Sequence, residues 1–438
     1  MRQALFVLDL DRCTGCAACV VACNTENPVA ESLSWRRIHT FNPQRLPVAP
    51  VFHFSLACNH CLEPACLAGC PANAYTKDPR TGAVLIDEHK CIGCRYCSWV
   101  CPYEAPQFNP ATGIMEKCTF CDYRQSDGLS PACVVACPTD ALRFDPDGEP
   151  STVDRAGFPE TGLRPAIRIV GDRRRTAPEM TAAPGQSAAW RRSETPGWEG
   201  LRSEWSLWIF TTTAALLVAW FSAASALEHA VALPIFAAAG ILGLGVSALH
   251  LGRITRAWRG ILNFRRSWVS REATFFSAFF GAACVLTLVN GGPPGAAPWA
   301  AAVLGFAALF SMDMVYRVPG QPVTTLPHSA MATLTAAFYI GLLIGEPTLF
   351  WPTATLKLVL YLARGDHPGP GARSAAAIRI GIGLVLPALV LTTGAVPLSV
   401  ALVGAVGGEL IDRAEFYATL RFLTPSQQLT RDLDNATP

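Results

Sequence analysis

Sixteen of the seventeen cysteines fall in four groups of four, and thiolates at these spacings are metal ligands. The first group, Cys13, Cys16, Cys19 and Cys23, reads C-x2-C-x2-C-x3-C in DRCTGCAACVVACN. The third, Cys91, Cys94, Cys97 and Cys101, repeats that spacing in KCIGCRYCSWVCPYEA. The second, Cys58, Cys61, Cys66 and Cys70, is C-x2-C-x4-C-x3-C. The fourth, Cys118, Cys121, Cys133 and Cys137, is C-x2-C-x11-C-x3-C. Three closely spaced cysteines wrap one cubane in local backbone, and the fourth, on the helix that follows, reaches a different cluster. Four such groups supply ligands for four [4Fe-4S] clusters. Proline follows the last cysteine in three groups (Pro71, Pro102, Pro138), and small residues stand between ligands (Gly15, Ala17, Ala18, Gly93). Small residues let backbone N–H groups approach sulfur, and those hydrogen bonds tune cluster potential.

Two other uses of dense cysteine fit less well. A secreted disulfide scaffold would follow a leader. Here MRQALFVLDLDRC runs straight into the first ligand group, so no signal peptide is expected. Zinc sites use CxxC pairs across longer gaps and recruit histidine. A CxxCxxC triplet followed by Cys-Pro is cubane spacing. The remaining cysteine, Cys284, lies in an apolar stretch and reads as a small core residue.

The elements that position this chemistry divide the 438 residues sharply. Residues 1–150 hold the ligands and a net negative charge, whereas residues 201–438 are rich in Ala, Leu, Val, Gly and Phe. Between them, residues 146–200 are rich in Pro, Gly, Ser and Thr and carry an arginine run, Arg173–Arg175. That composition reads as a solvated tether, and its strand-like Ala166–Val170 is expected to dock on the first domain. No basic stripe with interleaved aromatics points to nucleic acid. Residues 1–200 contain no Gly-rich dinucleotide loop and no nucleophile motif.

Apolar stretches close to bilayer length follow one another from Trp205. Eight are read: 205–227, 231–252, 272–290, 297–316, 329–346, 348–364, 375–394 and 396–416. An even count returns the C-terminus to the side on which the cysteine domain lies. Loops on that side carry Arg253, Arg256, Arg259, Arg265, Arg266, Arg271, Arg317, Arg364 and Arg373, and the opposite loops carry no Lys or Arg. Positive loops face the cytoplasm, so the cysteine domain is expected at the cytoplasmic face of the inner membrane.

The four cysteine groups, in this order and with these gaps, resemble the four-cluster iron–sulfur subunit of the dimethyl sulfoxide reductase family of molybdenum enzymes. The resemblance covers roughly residues 1–150. It implies two ferredoxin-like halves with crossed ligation. One cluster would take Cys13, Cys16, Cys19 and Cys137, and a second Cys118, Cys121, Cys133 and Cys23. A third would take Cys58, Cys61, Cys66 and Cys101, and the last Cys91, Cys94, Cys97 and Cys70. Some relatives carry Trp at the second position of the third group and hold a three-iron cluster. Cys94 is retained here, so four complete cubanes are expected.

The membrane half resembles that family's integral anchor. The similarity lies in SEWSLWIFT (Ser203–Thr211), in SALHLGRITRAWRGILNFRRSWVSREATFF (Ser247–Phe276) and in GELIDRAEFY (Gly408–Tyr417). The chain thus looks like a fusion of two usually separate subunits. The resemblance places His250 at a position implicated in quinol binding. The chemistry points there too, because a quinol sheds two protons as it gives up two electrons and needs a titratable group at the membrane edge. Arg253, Arg256 and Glu272 follow at the same boundary, and intramembrane ionisable residues suggest function. Tyr316 completes the candidate quinone site. Glu204, Asp313, Arg317, Glu409 and Arg413 either line the same cavity or pair between helices, and Lys357 and Arg379 either snorkel or pair. Lys357 alone is read as a charge at mid-depth. His229, His250 and His328 form no bis-histidine pair, so no haem is expected.

The expected fold class is α+β followed by all-α membrane structure. A double ferredoxin-like domain with four clusters (1–150) would precede a Pro/Arg-rich linker (151–200), an eight-helix transmembrane bundle (201–425) and a tail (426–438). The expected function is electron relay between membrane quinone, menaquinone or ubiquinone, and a partner subunit that carries molybdopterin. There is no catalytic residue for the substrate on this chain. Reduction of S- or N-oxides is the leading reading. The same architecture run oxidatively, as a cytoplasm-facing sulfite:quinone dehydrogenase, is the alternative. An ion-translocating redox membrane protein is the alternative of another class.

Overall fold

The structure is a computed structural model that describes residues 3–47, 50–148, 161–171, 198–290, 296–319, 327–363, 372–394 and 396–419, with Thr424, Leu429 and Leu433 beyond. Arg173–Arg175 and Arg364 lie outside the described residues.

Strand β1 (Leu5–Asp9) opens the cysteine-rich unit, followed by helix α1 (Ala18–Glu26) and the hairpin β2–β3 (Arg37–Phe41, Phe52–Leu56). Then come α2 (Ala65–Gly69), the hairpin β4–β5 (Tyr75–Lys77, Val84–Ile86) and α3 (Tyr96–Trp99). The hairpin β6–β7 (Gln107–Asn109, Ile114–Glu116), α4 (Asp122–Ser126), α5 (Ala132–Val135), β8 (Leu142–Asp145) and β9 (Ile167–Val170) complete it. β1 is central in a three-stranded sheet, antiparallel to β8 and parallel to β9. Ala166–Val170 therefore docks on the first unit, and the sheet extends beyond residue 150. β1 is buried along most of its length because both faces are covered. Leu429 and Leu433 pack into the same apolar cluster as Phe6, Leu8 and Phe54, which returns the far end of the chain to this unit.

Helix α6 (Trp198–Ala226) enters the apolar half and packs against α7 (Leu233–Ala248), α9 (Ala296–Val315), α10 (Ala332–Ile344) and α14 (Leu398–Thr419). α8 (Trp268–Asn290) pairs with α9, and α11 (Pro347–Ala363) with α10. α12 (Ala372–Ile380) runs through a π-helical turn, Gly381–Val385, into α13 (Leu386–Thr393). Among the described residues, four stretches are long and apolar enough to cross a membrane: Trp205–Ala226, Trp268–Val289, Ala297–Val315 and Ser374–Thr393. Leu233–Ala248 and Ala332–Ile344 are apolar but shorter. The remaining two rods, α11 and α14, carry buried charge.

That charge differs from the expectation of one mid-depth lysine. Lys357 does not snorkel. Its Nζ lies 2.8 Å from Glu409, whose other oxygen is 3.1 Å from Arg413 Nε. Arg379 pairs with Asp412 at 2.6 Å, and Ser329 donates to Asp412. All five charged side chains are at most 3% exposed. Helical spacing explains the arrangement: Glu409, Asp412 and Arg413 fall within about one turn of α14, where Glu409 meets Lys357 of α11 and Asp412 meets Arg379 of α12. Removing one partner strands the others without water. Lys357→Met is expected to cost about 3–5 kcal/mol, read as a lowered thermal midpoint of the detergent-solubilised protein. A midpoint unchanged within about a degree would contradict the pairing.

Candidate functional site

The cluster loops are built by backbone that few residues adopt. Gly15 and Gly93 hold φ near +70°, and two positions later Ala17 and Arg95 also lie in the left-handed region. The two turns precede α1 and α3 in the same way, so C-T-G-C-A-A-C and C-I-G-C-R-Y-C are structural repeats. In each Cys-Pro group the residue three beyond the cysteine, Asn73, Glu104 or Asp140, has positive φ. Its N–H donates to that cysteine's carbonyl.

The thiols meet across the loops. One cavity is lined by Cys13, Cys16, Cys19 and Cys137, and another by Cys23, Cys118, Cys121 and Cys133. A third is lined by Cys58, Cys61, Cys66 and Cys101. Cys94 and Cys97 act electrostatically on Cys70 and Cys91 or on each other. Among the described residues, no three His, Cys, Asp or Glu side chains are disposed to hold one metal ion. The thiols surround a space instead of converging on a point. Backbone N–H groups of His60, Ala74, Met115, Phe120 and Leu142 donate to the sulfurs of Cys58, Cys70, Cys91, Cys118 and Cys137 at 3.4–3.5 Å. These donors suit anionic cluster sulfur. Burial pushes the Cys23, Cys94 and Cys101 thiols up to about 12. Such thiols ionise when a metal takes up the charge, so loading releases protons. The residues present fit four cubanes.

The link between α7 and α8 presses on the Cys91–Cys97 loop. Helix α7 ends at Ala248, earlier than the apolar run suggests. A 3-10 helix, Ile254–Ile261, follows. The reason is close docking. Gly252 N–H donates to Gly93 O and Arg253 N–H to Ile92 O. A Cβ on Gly93 would stand 2.9 Å from Gly252 Cα. Asn263 donates to the carbonyls of Ala68 and Cys70, Ser267 to that of Gly69, and Tyr96 to that of Val315.

Behind this joint lies a cavity of about 240 Å³, where a cluster-loop cysteine and the apolar helices share a wall. Cys94, Tyr96 and Trp99 of the cysteine unit line it together with His250, Glu272, Tyr316 and Thr211 of the apolar half, and Phe210, Phe276 and Met312 add apolar surface. His250 Nδ1 donates to the Ser247 carbonyl. In the neutral ring this fixes the tautomer and leaves Nε2 as an acceptor. The Tyr316 hydroxyl meets that of Tyr417.

The structure thus brings His250, Glu272 and Tyr316 together but not the two arginines. Arg256 donates to the carbonyls of Glu88 and Cys91, and Arg253 is exposed. They sit on the far side of the loop, tied to or facing the cysteine unit. Asp313 accepts from Ala332 and Thr333 at the start of α10, Arg317 is exposed, and Glu409 belongs to the charge network. Arg413 reaches the cavity indirectly, donating to Thr211 at 2.8 Å. The side chain of Glu204 lies outside what is described. Sequence reasoning missed Tyr96 and Trp99. Both stand between ligands, where ligand spacing masks a second role.

Residues 49–146 match the 4Fe-4S dicluster domain family, and residues 199–361 match the DMSO reductase anchor subunit (DmsC) family. A sulfite dehydrogenase subunit of Allochromatium vinosum is 40% identical over 38% of this chain and 82% of its own length. A polypeptide of the anaerobic dimethyl sulfoxide reductase of Escherichia coli K12 is 41% identical over 33% and 74%. The thiosulfate reductase electron transfer subunit PhsB of Salmonella typhi is 42% identical over 32% and 75%.

Proposed function

Because the chain belongs to the dimethyl sulfoxide reductase family, as an iron–sulfur electron-transfer subunit joined to its membrane anchor, we propose that it relays electrons between membrane quinone and a molybdopterin-bearing catalytic subunit. Sixteen cysteines hold four [4Fe-4S] clusters in the crossed sets given above, and eight rods form the bundle. The observation that carries the reading is the shared wall of the cavity. Cys94 lines it together with His250, Glu272 and Tyr316.

The clusters supply one-electron acceptors and donors in series. This chain's residues do the rest. Phe210, Phe276 and Met312 seat a planar ring and exclude water. His250 Nε2 accepts one hydroxyl proton of a quinol, and the Glu272 carboxylate accepts the other. Tyr316, backed by Tyr417, orients the ring oxygen. In the reverse direction the same groups return both protons. Arg253, Arg265, Arg266 and Arg317 are exposed on the side of the cysteine unit. Their side supports a cytoplasmic orientation in the inner membrane.

Reduction of an S- or N-oxide is the reading favoured by the anchor-family match and by the relatives named as dimethyl sulfoxide reductases. Sulfite oxidation with quinone as acceptor is the second reading, supported by the sulfite dehydrogenase relative. One preparation tests all of it: the complex purified in detergent, with metal analysis and both assays. Roughly sixteen irons for each copy of this chain together with molybdenum or tungsten is expected, and the assay that turns over fixes the direction. Iron with neither metal and no large partner would end the molybdopterin reading.

A further inference from the structure

Arg36 is fully enclosed in the cysteine unit, 1% exposed, and it stands between two sets of thiols. On one side it lines the cavity of Cys23, Cys118, Cys121 and Cys133. On the other, its Nη1 donates to Ser55 Oγ at 3.0 Å and to the Ser55 carbonyl at 3.1 Å. Ser55 Oγ in turn lies 3.2 Å from the sulfur of Cys19, a member of the set with Cys13, Cys16 and Cys137. With a lone pair of Ser55 taken by the guanidinium, its hydroxyl proton is free to point at that sulfur. Arg36 Nη2 meets no oxygen or nitrogen partner among the described residues. The ionisable groups within electrostatic reach of the guanidinium are cysteines: Cys133, Cys118, Cys19 and Cys23. Phe6 closes one face, 4.5 Å from Cζ.

A buried guanidinium cannot shed its proton, and burying it without an anion costs several kcal/mol. Lys117 offers a contrast. It is also buried, but its ammonium donates to the carbonyls of Val84 and Cys118. Arg36 has an unspent donor and a full charge directed at a thiol-lined space. A thiolate-ligated cluster is anionic, and gaining an electron makes it more so. A fixed cation beside it favours the reduced form and raises its potential.

Resting on the cluster reading above, we propose that Arg36 is a potential-setting residue. It raises the midpoint of the cluster held by Cys23, Cys118, Cys121 and Cys133 directly, and that of the Cys13, Cys16, Cys19 and Cys137 cluster through Ser55. It is a positioning residue that touches no substrate.

The test is an EPR-monitored redox titration of the whole purified complex, with signals assigned by a Cys23→Ser variant. Arg36→Gln should lower the Cys23-set midpoint by at least the equivalent of a tenfold change in its reduced-to-oxidised ratio, about 59 mV for a one-electron couple. The clusters held by the Cys58 and Cys91 sets should stay in place as internal controls. Arg36→Lys should restore most of the shift, and Ser55→Ala should move the Cys13-set midpoint alone. Unmoved midpoints in Arg36→Gln at wild-type iron content would overturn the proposal, as would an equal shift in all four signals. If Arg36→Gln fails to assemble, an unmoved Cys13-set midpoint in Ser55→Ala overturns it. Absence of four cluster signals from the unmodified protein would instead defeat the cluster reading.

Discussion

Replacing Cys94 with alanine is expected to cut quinone-linked turnover roughly a thousandfold, equivalent to about 4 kcal/mol in the barrier. Iron should fall from about sixteen to about fifteen for each copy of this chain, because Cys94 stands where some relatives carry Trp and hold a three-iron cluster, whose changed potential breaks the relay. Among the cluster-set cysteines Cys94 is the one that lines the cavity, so electrons have no other entry from it. Transfer from a soluble dye to the catalytic subunit should survive, because the other three thiol sets do not include Cys94. Measuring both reactions on one preparation separates a cut wire from a collapsed fold. Quinone turnover above about a tenth of wild type would mean that this cavity is not where quinone reacts.

His250→Gln should lower quinone turnover by about 10²–10⁴, the range for loss of a general acid or base. The loss should fall in kcat more than in KM, since glutamine can still hydrogen-bond a ring oxygen but cannot take up its proton. Cluster signals and iron content should match wild type. Glu272→Gln should act in the same direction, and the double variant should lose less than the product of the two, because both serve one proton transfer sequence. In vesicles, any proton movement should vanish together with quinone turnover. Proton translocation that persists in His250→Gln after quinone reactivity is lost would favour the ion-translocating alternative. By contrast, Arg253→Gln should leave kcat nearly unchanged, as that side chain is exposed and away from the cavity.

Much of this architecture was legible in the chain. Ligand spacing is a local property: a cubane grips three cysteines within one turn of backbone, so C-x2-C-x2-C carries its chemistry in seven residues. Apolar length is equally local, and it marked the described helices of the membrane half to within several residues. Membership of the family also rests on these local patterns. The lining of the cavity was legible in part. His250 and Glu272 stood out as ionisable groups beside apolar runs, and Tyr316 as a polar end to another.

The tertiary structure decided what depends on distance between segments far apart in sequence. Arg253 and Arg256 follow His250 closely, yet the docking of Gly252 on Gly93 turns them away from the cavity. Tyr96 and Trp99 enter the cavity because the same contact brings the third cysteine group against α8 and α9. Lys357 looked solitary because its partner Glu409 lies far along the chain and only the packing of α14 on its neighbours joins them. Arg36 has no motif at all. Its position between two thiol sets arises from the β2–β3 hairpin folding over crossed loops. Backbone chemistry within a loop is written in the order of residues. Electrostatic partnership depends on separation in space, and only the packed chain sets that.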